Sequence, residues 1–353
     1  MRIEVVPDVS ATEWQQLVAK DPKASFFHTL EWGQCVQSIF KGWNRFFLTA
    51  RSDGELIAAI PAMRLSKRGV FAMMSMPFGT YGGPLVADGA PPGISDDLSR
   101  RFFEAARPAR VAFAELVDFP AQLAAVPFKR MRSVEDEARV LSLEPGYDKL
   151  WTGFKDTNRN KIRKAEKSGV TIKLAESRED FLAYNEVLSE CSRRWEEPTQ
   201  FHREFFEALW ELHNGGIQMW LAVHDGAIIS GLLNFAHNKS VMNWGTVSLP
   251  SARHLAPVNL LHARAIEHAV DKGFSLYNFG SSAGMEGVDK FKATFGAERL
   301  RYYHHVLEKR WFPIFRRWSR RRRTDYKTYR GNAGSFAEHE ETKHAPASVT
   351  ANP

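Results

Sequence analysis

Residues 3–6 and 46–50 read as alternating strands, and the apolar runs 56–63, 70–76 and 111–116 as further strands. Between them the period lengthens to that of a helix. Ser10 stands as an N-cap with Glu13 three residues on, as in a capping box, and Trp14, Leu17 and Val18 form one apolar face. Further helices are expected around residues 29–39 and 96–106. Ser52-Asp53-Gly54 separates two such runs and predicts a tight hairpin.

The second half repeats the plan. A strand is expected at 170–174, helices at 178–190 and 202–212, and a hairpin of 218–223 with 227–236 around His224-Asp225-Gly226. A strand at 241–247, a helix at 259–272 closed by Gly273, and a short strand at 276–279 complete it. Asp53-Gly54 and Asp225-Gly226 each follow two helices and precede a third strand, so the chain reads as a duplicated α/β unit. The expected division is 1–145, 146–308, a basic aromatic segment 309–330 and a disordered tail 331–353. A basic helix at 156–167 opens the second unit.

Composition sets bounds on this picture. The 353 residues are 44% hydrophobic and 25% charged, enough for two globular domains. Cys35 and Cys191 are too few for a disulfide framework; they fit buried thiols in a reducing compartment, and no spacing suggests a metal site. The N-terminal residues read as a strand, not a secretory leader. The most apolar window, 217–235, is broken by the His224-Asp225-Gly226 turn and is too short-phased to span a membrane.

The net charge of +7 is unevenly placed. Residues 1–300 hold 36 basic and 36 acidic side chains, whereas residues 301–330 hold 11 basic and 2 acidic ones. A neutral body argues against a broad nucleic-acid surface, and against DNA as a partner. The basic segment, from Lys309-Arg310-Trp311-Phe312 to Arg323, interleaves aromatic rings with arginine. That mixture suits an anionic membrane surface, at about 1 kcal/mol per charge. The expected location is cytoplasmic and peripheral, at the inner face of the cytoplasmic membrane.

Four segments carry a family resemblance: Phe26-Phe27-His28-Thr29-Leu30-Glu31-Trp32; Tyr81-Gly82-Gly83-Pro84; Arg159-Asn160-Lys161-Ile162-Arg163 through Val170; and Tyr277-Asn278-Phe279-Gly280-Ser281-Ser282 followed by Lys290-Phe291-Lys292-Ala293-Thr294-Phe295-Gly296. In this order the chain resembles the FemAB-like branch of the GNAT superfamily over about residues 20–300. The resemblance implies two tandem GNAT-like domains, α/β (α+β) with mixed, mostly antiparallel sheets flanked by helices. It also implies transfer of an acyl or aminoacyl group to an amine, with no bound cofactor and acyl-CoA or aminoacyl-tRNA as the donor substrate. The chain departs from the family in two respects: no long helical arm is present, and Asn278 stands where an aspartate is common. The missing arm and the neutral body favour acyl-CoA; aminoacyl-tRNA-dependent transfer to a peptidoglycan precursor is the alternative, and a non-catalytic lipid-tethered scaffold a third reading.

The resemblance places Lys292 at the donor end of the second unit, where a fixed ammonium would steady phosphate or a developing oxyanion. Arg159 and Arg163, four apart on one helix face, suit an anionic acceptor. Gly82 and Gly83 would let the Tyr81 loop approach a ligand closely. The amine must be deprotonated, and Glu196, Glu197, His202 and His237 are the candidate bases, Glu197 and His237 foremost. Trp195, Asn234 and Ser281 are candidate substrate-orienting residues. No Ser-His-Asp or Cys-His set is identifiable, so transfer is expected to be direct. The acceptor is expected to be an amine-bearing envelope precursor or amino lipid.

Overall fold

A computed structural model describes residues 2–67, 69–123, 131–193, 199, 201–213 and 215–312. The first half runs β1 (Arg2–Val6), α1 (Ala11–Lys20), α2 (Leu30–Ile39), β2 (Trp43–Ser52), β3 (Glu55–Lys67), β4 (Val70–Met74), β5 (Leu85–Val86), α3 (Ile94–Ala105), β6 (Val111–Asp118) and β7 (Met131–Ser142). The second runs α4 (Tyr147–Gly153), α5 (Asp156–Lys167), β8 (Thr171–Leu174), α6 (Arg178–Ser192), α7 (Arg203–Glu211), β9 (Ile217–His224), β10 (Ala227–His237), β11 (Ser240–Ser248), α8 (Pro257–Asp271), β12 (Leu276–Ser281), α9 (Glu286–Ala293) and β13 (Glu298–Glu308).

One continuous sheet carries both halves, in the order β1-β2-β3-β4-β6-β13-β7-β12-β11-β10-β9-β8, with β5 against β3. The first five strands of each half match in order, and each set contains one parallel pair, β4 with β6 and β11 with β12. The last strands are exchanged. β7 follows β6 in the chain but pairs with β12, and β13 follows β12 but pairs with β6. β7 and β13 pair antiparallel at the centre, from Glu298↔Val140 to Leu307↔Met131.

Local chemistry explains the matching hairpins. Asp53 and Gly54 have φ of 51° and 86°, Asp225 and Gly226 51° and 75°, two left-handed residues in succession that Asp-Gly accommodates at low cost. Gly273 (φ 72°) ends α8, its N–H bonding to the Val270 carbonyl as Phe274 bonds back to Ala269. The expected capping box of α1 does not form. Ser10 makes no side-chain cap bond, and Glu13 is drawn to Arg51 on β2 instead, at 2.7 and 3.0 Å. Both cysteines are buried and unpaired with each other.

The halves share a core. Phe26 stacks on Phe235 of β10 (centroids 4.9 Å), and Phe27 and Trp32 meet the same ring edge-on at 5.2 and 5.4 Å. The 26–32 motif is thus the wedge that docks the first half on the second. Among the described residues, no helix is long and apolar enough to cross a membrane. The tail from residue 313 lies outside the described residues, and with it the expected disorder there.

Candidate functional site

The parallel strands β11 and β12 stay together for three pairs only, Ser240↔Leu276 to Met242↔Asn278. β11 runs on to Ser248 and β12 to Ser281, but their ladder pairing ends at Met242↔Asn278. The chain turns where the pairing ends. Asn278 Oδ1 accepts the Gly280 N–H at 2.8 Å, Gly280 takes φ 71°, and β12 is irregular against β7 between Asn278 and Ser281. The turn presents two consecutive carbonyls to Lys292 of α9. Its Nζ donates to Gly280 O at 2.9 Å and to Ser281 O at 2.8 Å.

Lys292 is 7% exposed. Burial pushes its ammonium down to about 8, against the opposing pull of Asp289 and Asp136. It stays protonated at neutral pH. An ammonium has three N–H bonds, and two are spoken for, which leaves one for a ligand.

Beside it lies a charged chain crossing the four central strands. Asp136 (β7) accepts from Ser281 Oγ at 3.0 Å and from the Tyr302 hydroxyl. His304 (β13) sits with Nε2 3.8 Å from Asp136, an ion-pair distance, and Nδ1 2.8 Å from Glu115 of β6. Burial opposes charge on His304, but the two carboxylates outweigh it and raise it to about 9. Burial likewise works against the Asp136 carboxylate, yet its donors, His304 and Tyr302 foremost, hold it below the usual range. Asp289 is separately neutralised: the Arg139 guanidinium grips it at 2.7 and 2.6 Å and Arg299 at 3.1 Å.

Beside the turn, five side chains form a ring of polar contacts. His262 Nδ1 meets the Tyr277 hydroxyl at 3.2 Å, and Tyr277 donates to Asn234 Oδ1 at 3.4 Å. Asn243 Nδ2 donates to the same oxygen at 3.2 Å, Thr246 donates to Asn243 at 3.2 Å, and Thr246 Oγ1 lies 3.4 Å from His262 Nε2, the neutral imidazole having one N–H to give to either Tyr277 or Thr246. Burial pushes His262 down to about 3, so it is neutral. The ring ties α8 to β10, β11 and β12 where β10 and β11 shift register at Leu233/Asn234.

The matching gap in the first half is filled. Past Met74↔Glu115, Ser75 bridges β4 to β6, its N–H to Glu115 O at 2.8 Å and its Oγ accepting from Val117 N–H at 3.0 Å. The 77–84 loop folds over it so tightly that a Cβ on Gly82 would lie 2.7 Å from the Ser75 carbonyl carbon. Tyr81 stacks on Phe119 (4.0 Å, 6°) and its hydroxyl reaches Asn278 Nδ2 at 3.5 Å. The first half therefore supplies a wall beside the turn that seats Lys292.

The structure brings together Lys292, Ser281 and Tyr81 of the expected site residues, with Asn234 buried in the ring below. Arg159 and Arg163 flank Trp151 instead. Arg159 donates to the carbonyls of Trp151, Thr152 and Phe154 at 3.3, 2.7 and 2.8 Å, closing the end of α4. Arg163 lies over the Trp151 ring at 5.5 Å. His202 is exposed at the N-cap of α7. His237 pairs with Ser240, at the closed end of the β11·β12 pair; Gly280 is four residues along β12 from that level, roughly 13 Å at strand rise. There His237 lines a separate cleft of about 280 Å³ with Trp14, Phe26 and Glu31, and burial lowers its imidazole. Trp195, Glu196 and Glu197 lie outside the described residues. Sequence reasoning missed Asp136, Tyr302, His304, Glu115 and His262.

Residues 153–293 match the family profile described as Acetyltransferase (GNAT) domain. No curated protein matches the chain by sequence. Among solved structures, FemX superposes with a TM-score of 0.68 at 13% identity, over 90% of this chain and 99% of its own. The C-terminal domain of a putative lysylphosphatidylglycerol synthetase from Agrobacterium fabrum gives 0.56 at 13%, over 88% and 95%. A tandem GNAT protein from the clavulanic acid biosynthesis pathway gives 0.54 at 16%, over 87% and 98%. At such identities the shared property is the fold. Residues 153–293 are by class a GNAT acetyltransferase-type domain. The chain thus has the fold of FemX and of that tandem GNAT protein, with the GNAT profile recognised over residues 153–293.

Proposed function

We propose that the protein is an N-acyltransferase that takes an acyl group from acyl-CoA and passes it to the amine of a membrane-associated envelope precursor or amino lipid. The observation that carries this reading is Lys292: a buried side-chain nitrogen donating to two consecutive carbonyls just past the end of the β11·β12 pairing. The thioester carbonyl would lie there with its oxygen on the third N–H of the ammonium. The neutral amine attacks the carbonyl carbon, the oxygen gains negative charge beside the ammonium, and collapse breaks the C–S bond. The nitrogen loses one proton as the amide forms, and the departing thiolate gains one.

The neutral body supports acyl-CoA over aminoacyl-tRNA, because tRNA binding draws on a broad basic surface. The basic aromatic run from residue 309 supports an acceptor at an anionic membrane, reached from the cytoplasmic side. The test is thiol release by the purified chain from an acyl-CoA series, acetyl to palmitoyl, with amine-bearing lipid extract. RNase-insensitive release, lost in Lys292→Met, is expected. Activity that needs charged tRNA would transfer the reading to aminoacyl transfer. An unaltered lipid and cell-wall mass spectrum in a deletion strain would favour a scaffold.

A further inference from the structure

Lys292 does not set its own position. The Ser281 carbonyl that receives its ammonium belongs to a residue whose hydroxyl is tied to Asp136 at 3.0 Å. Asp136 is in turn fixed by the Tyr302 hydroxyl, by the Glu137 N–H at 2.8 Å and by the His304 imidazolium. These groups come from β7 and β13, the central strands that the exchange between the halves brings together.

Charge gives a second, independent argument. Glu115 and Asp136 are two carboxylates flanking one imidazolium, so the chain carries one uncompensated negative charge. Its side chains are largely buried, at 12%, 10% and 10% exposure for Glu115, Asp136 and His304. A buried charge without a counter-charge costs several kcal/mol. The charged groups facing Lys292 are Asp289 on its own helix, Asp136 and Arg139 on β7, with neutral His262 on α8. Asp289 is already matched by Arg139 and Arg299. That leaves Asp136 as the carboxylate whose charge the Lys292 ammonium answers.

We propose that Asp136 is the positioning residue for Lys292: through Ser281 it fixes the carbonyl that seats the ammonium, and through its own charge it keeps that ammonium protonated. The inference rests on the reading of Lys292 as the ammonium of the reaction site. It assigns the clamp to residues of both halves, so the first half contributes more than a wall to the site. His304, itself bonded to Glu115, sets how much of the Asp136 charge is left for Lys292.

Competitive labelling with acetic anhydride, read by mass spectrometry across pH 6 to 11, reports the Lys292 titration directly and needs no substrate. In the wild type its midpoint is expected near 8. Asp136→Asn should lower the midpoint by at least about half a unit, the size expected on losing a nearby opposite charge. Ser281→Ala keeps the charge, so it should leave the midpoint in place while raising the labelling rate of the neutral amine. His304→Gln removes the positive charge that offsets Asp136 and should move the midpoint upward. Opposite signs in two variants of one network are not what general loosening produces. A midpoint unmoved in folded Asp136→Asn, or moved downward in His304→Gln, overturns the proposal. An inactive Lys292→Met beside an unmoved midpoint sinks this inference alone. A fully active Lys292→Met sinks the reading of the reaction site on which it rests, whatever the midpoints do.

Discussion

Tyr81 and Asn278 stand 197 residues apart in the chain and meet through phenol oxygen and amide nitrogen at 3.5 Å. Both are buried, at 4% and 2% exposure. The contact joins the glycine-flanked loop of the first half to the turn that aims two carbonyls at Lys292. Asn278 Oδ1 already holds the Gly280 N–H, so Tyr81 fixes the other end of the same amide.

Removing that hydroxyl should therefore be felt. Tyr81→Phe keeps the stack on Phe119 but leaves the Asn278 Nδ2 without this partner in a buried place. A loss of about 1–2 kcal/mol in urea unfolding is expected. Equal stability would show that the 3.5 Å contact carries no energy.

Gly82→Ala tests the filled gap of the first half. The added methyl would lie 2.7 Å from the Ser75 carbonyl carbon and 2.8 Å from its oxygen, both backbone atoms that cannot turn aside. The loop must lift, and Tyr81 with it. A cost of about 1–3 kcal/mol is expected, together with weaker thiol release from acyl-CoA. A variant as stable as the wild type would mean the loop is loosely seated.

These two sites show what was legible in the sequence. Each Asp-Gly hairpin and each glycine of the Tyr81 loop could be read directly, because a left-handed turn or a close approach leaves few alternatives in residue choice. The motif at 277–296 led to Lys292, which the structure buries against the Gly280 and Ser281 carbonyls. β7 and β13 were invisible. Their sequences, with Glu135-Asp136-Glu137 in one and Arg301-Tyr302-Tyr303-His304-His305 in the other, read as surface, yet they are the middle of the sheet. Buried polar residues look like exposed ones until their partners are known, and these partners lie more than 140 residues away. Arg159 was hidden in the opposite sense. Its spacing from Arg163 puts both on one face, but nothing in the spacing tells that three carbonyls at the end of α4 would claim it.

Arg159 and Arg163 should separate on mutation. Arg159→Ala removes three carbonyl contacts and the pairing with Asp156, and should cost about 1–2 kcal/mol. Arg163→Ala loses a contact over the Trp151 ring and should cost about 0.5–1 kcal/mol. Denaturant midpoints measure both. A larger loss at Arg163 than at Arg159 would reverse the assignment.

The membrane prediction must respect Phe312. That ring is 3% exposed and packs 5.9 Å from Phe113 of β6, whereas the neighbouring Trp311 is 37% exposed. Deletion from residue 309 would strip the core, so the informative truncation begins at 313. Removing 313–330 should leave the melting temperature within a few degrees of the wild type and abolish sedimentation with phosphatidylglycerol vesicles at low salt. Undiminished sedimentation would remove the membrane from the proposed function.

Two buried bases in the site give the protein opposite responses to alkali. His304 is raised from 6.5 to about 9, so its stabilisation is complete below 6.5 and disappears as pH rises through 9. Lys292 is lowered from 10.5 to about 8, so between 8 and 10.5 the unfolded chain holds the extra proton and stability grows with pH. Each window spans a swing of about 3 kcal/mol, and between 8 and 9 the two oppose each other. Single variants expose each limb. His304→Gln should be most destabilised relative to the wild type at pH 6 and close much of that gap by pH 9.5. Lys292→Met should compare best with the wild type near pH 7 and fall behind as the pH approaches 10.5. Urea unfolding at four pH values decides it, and parallel curves for wild type and either variant would show that the residue replaced does not titrate as its surroundings dictate.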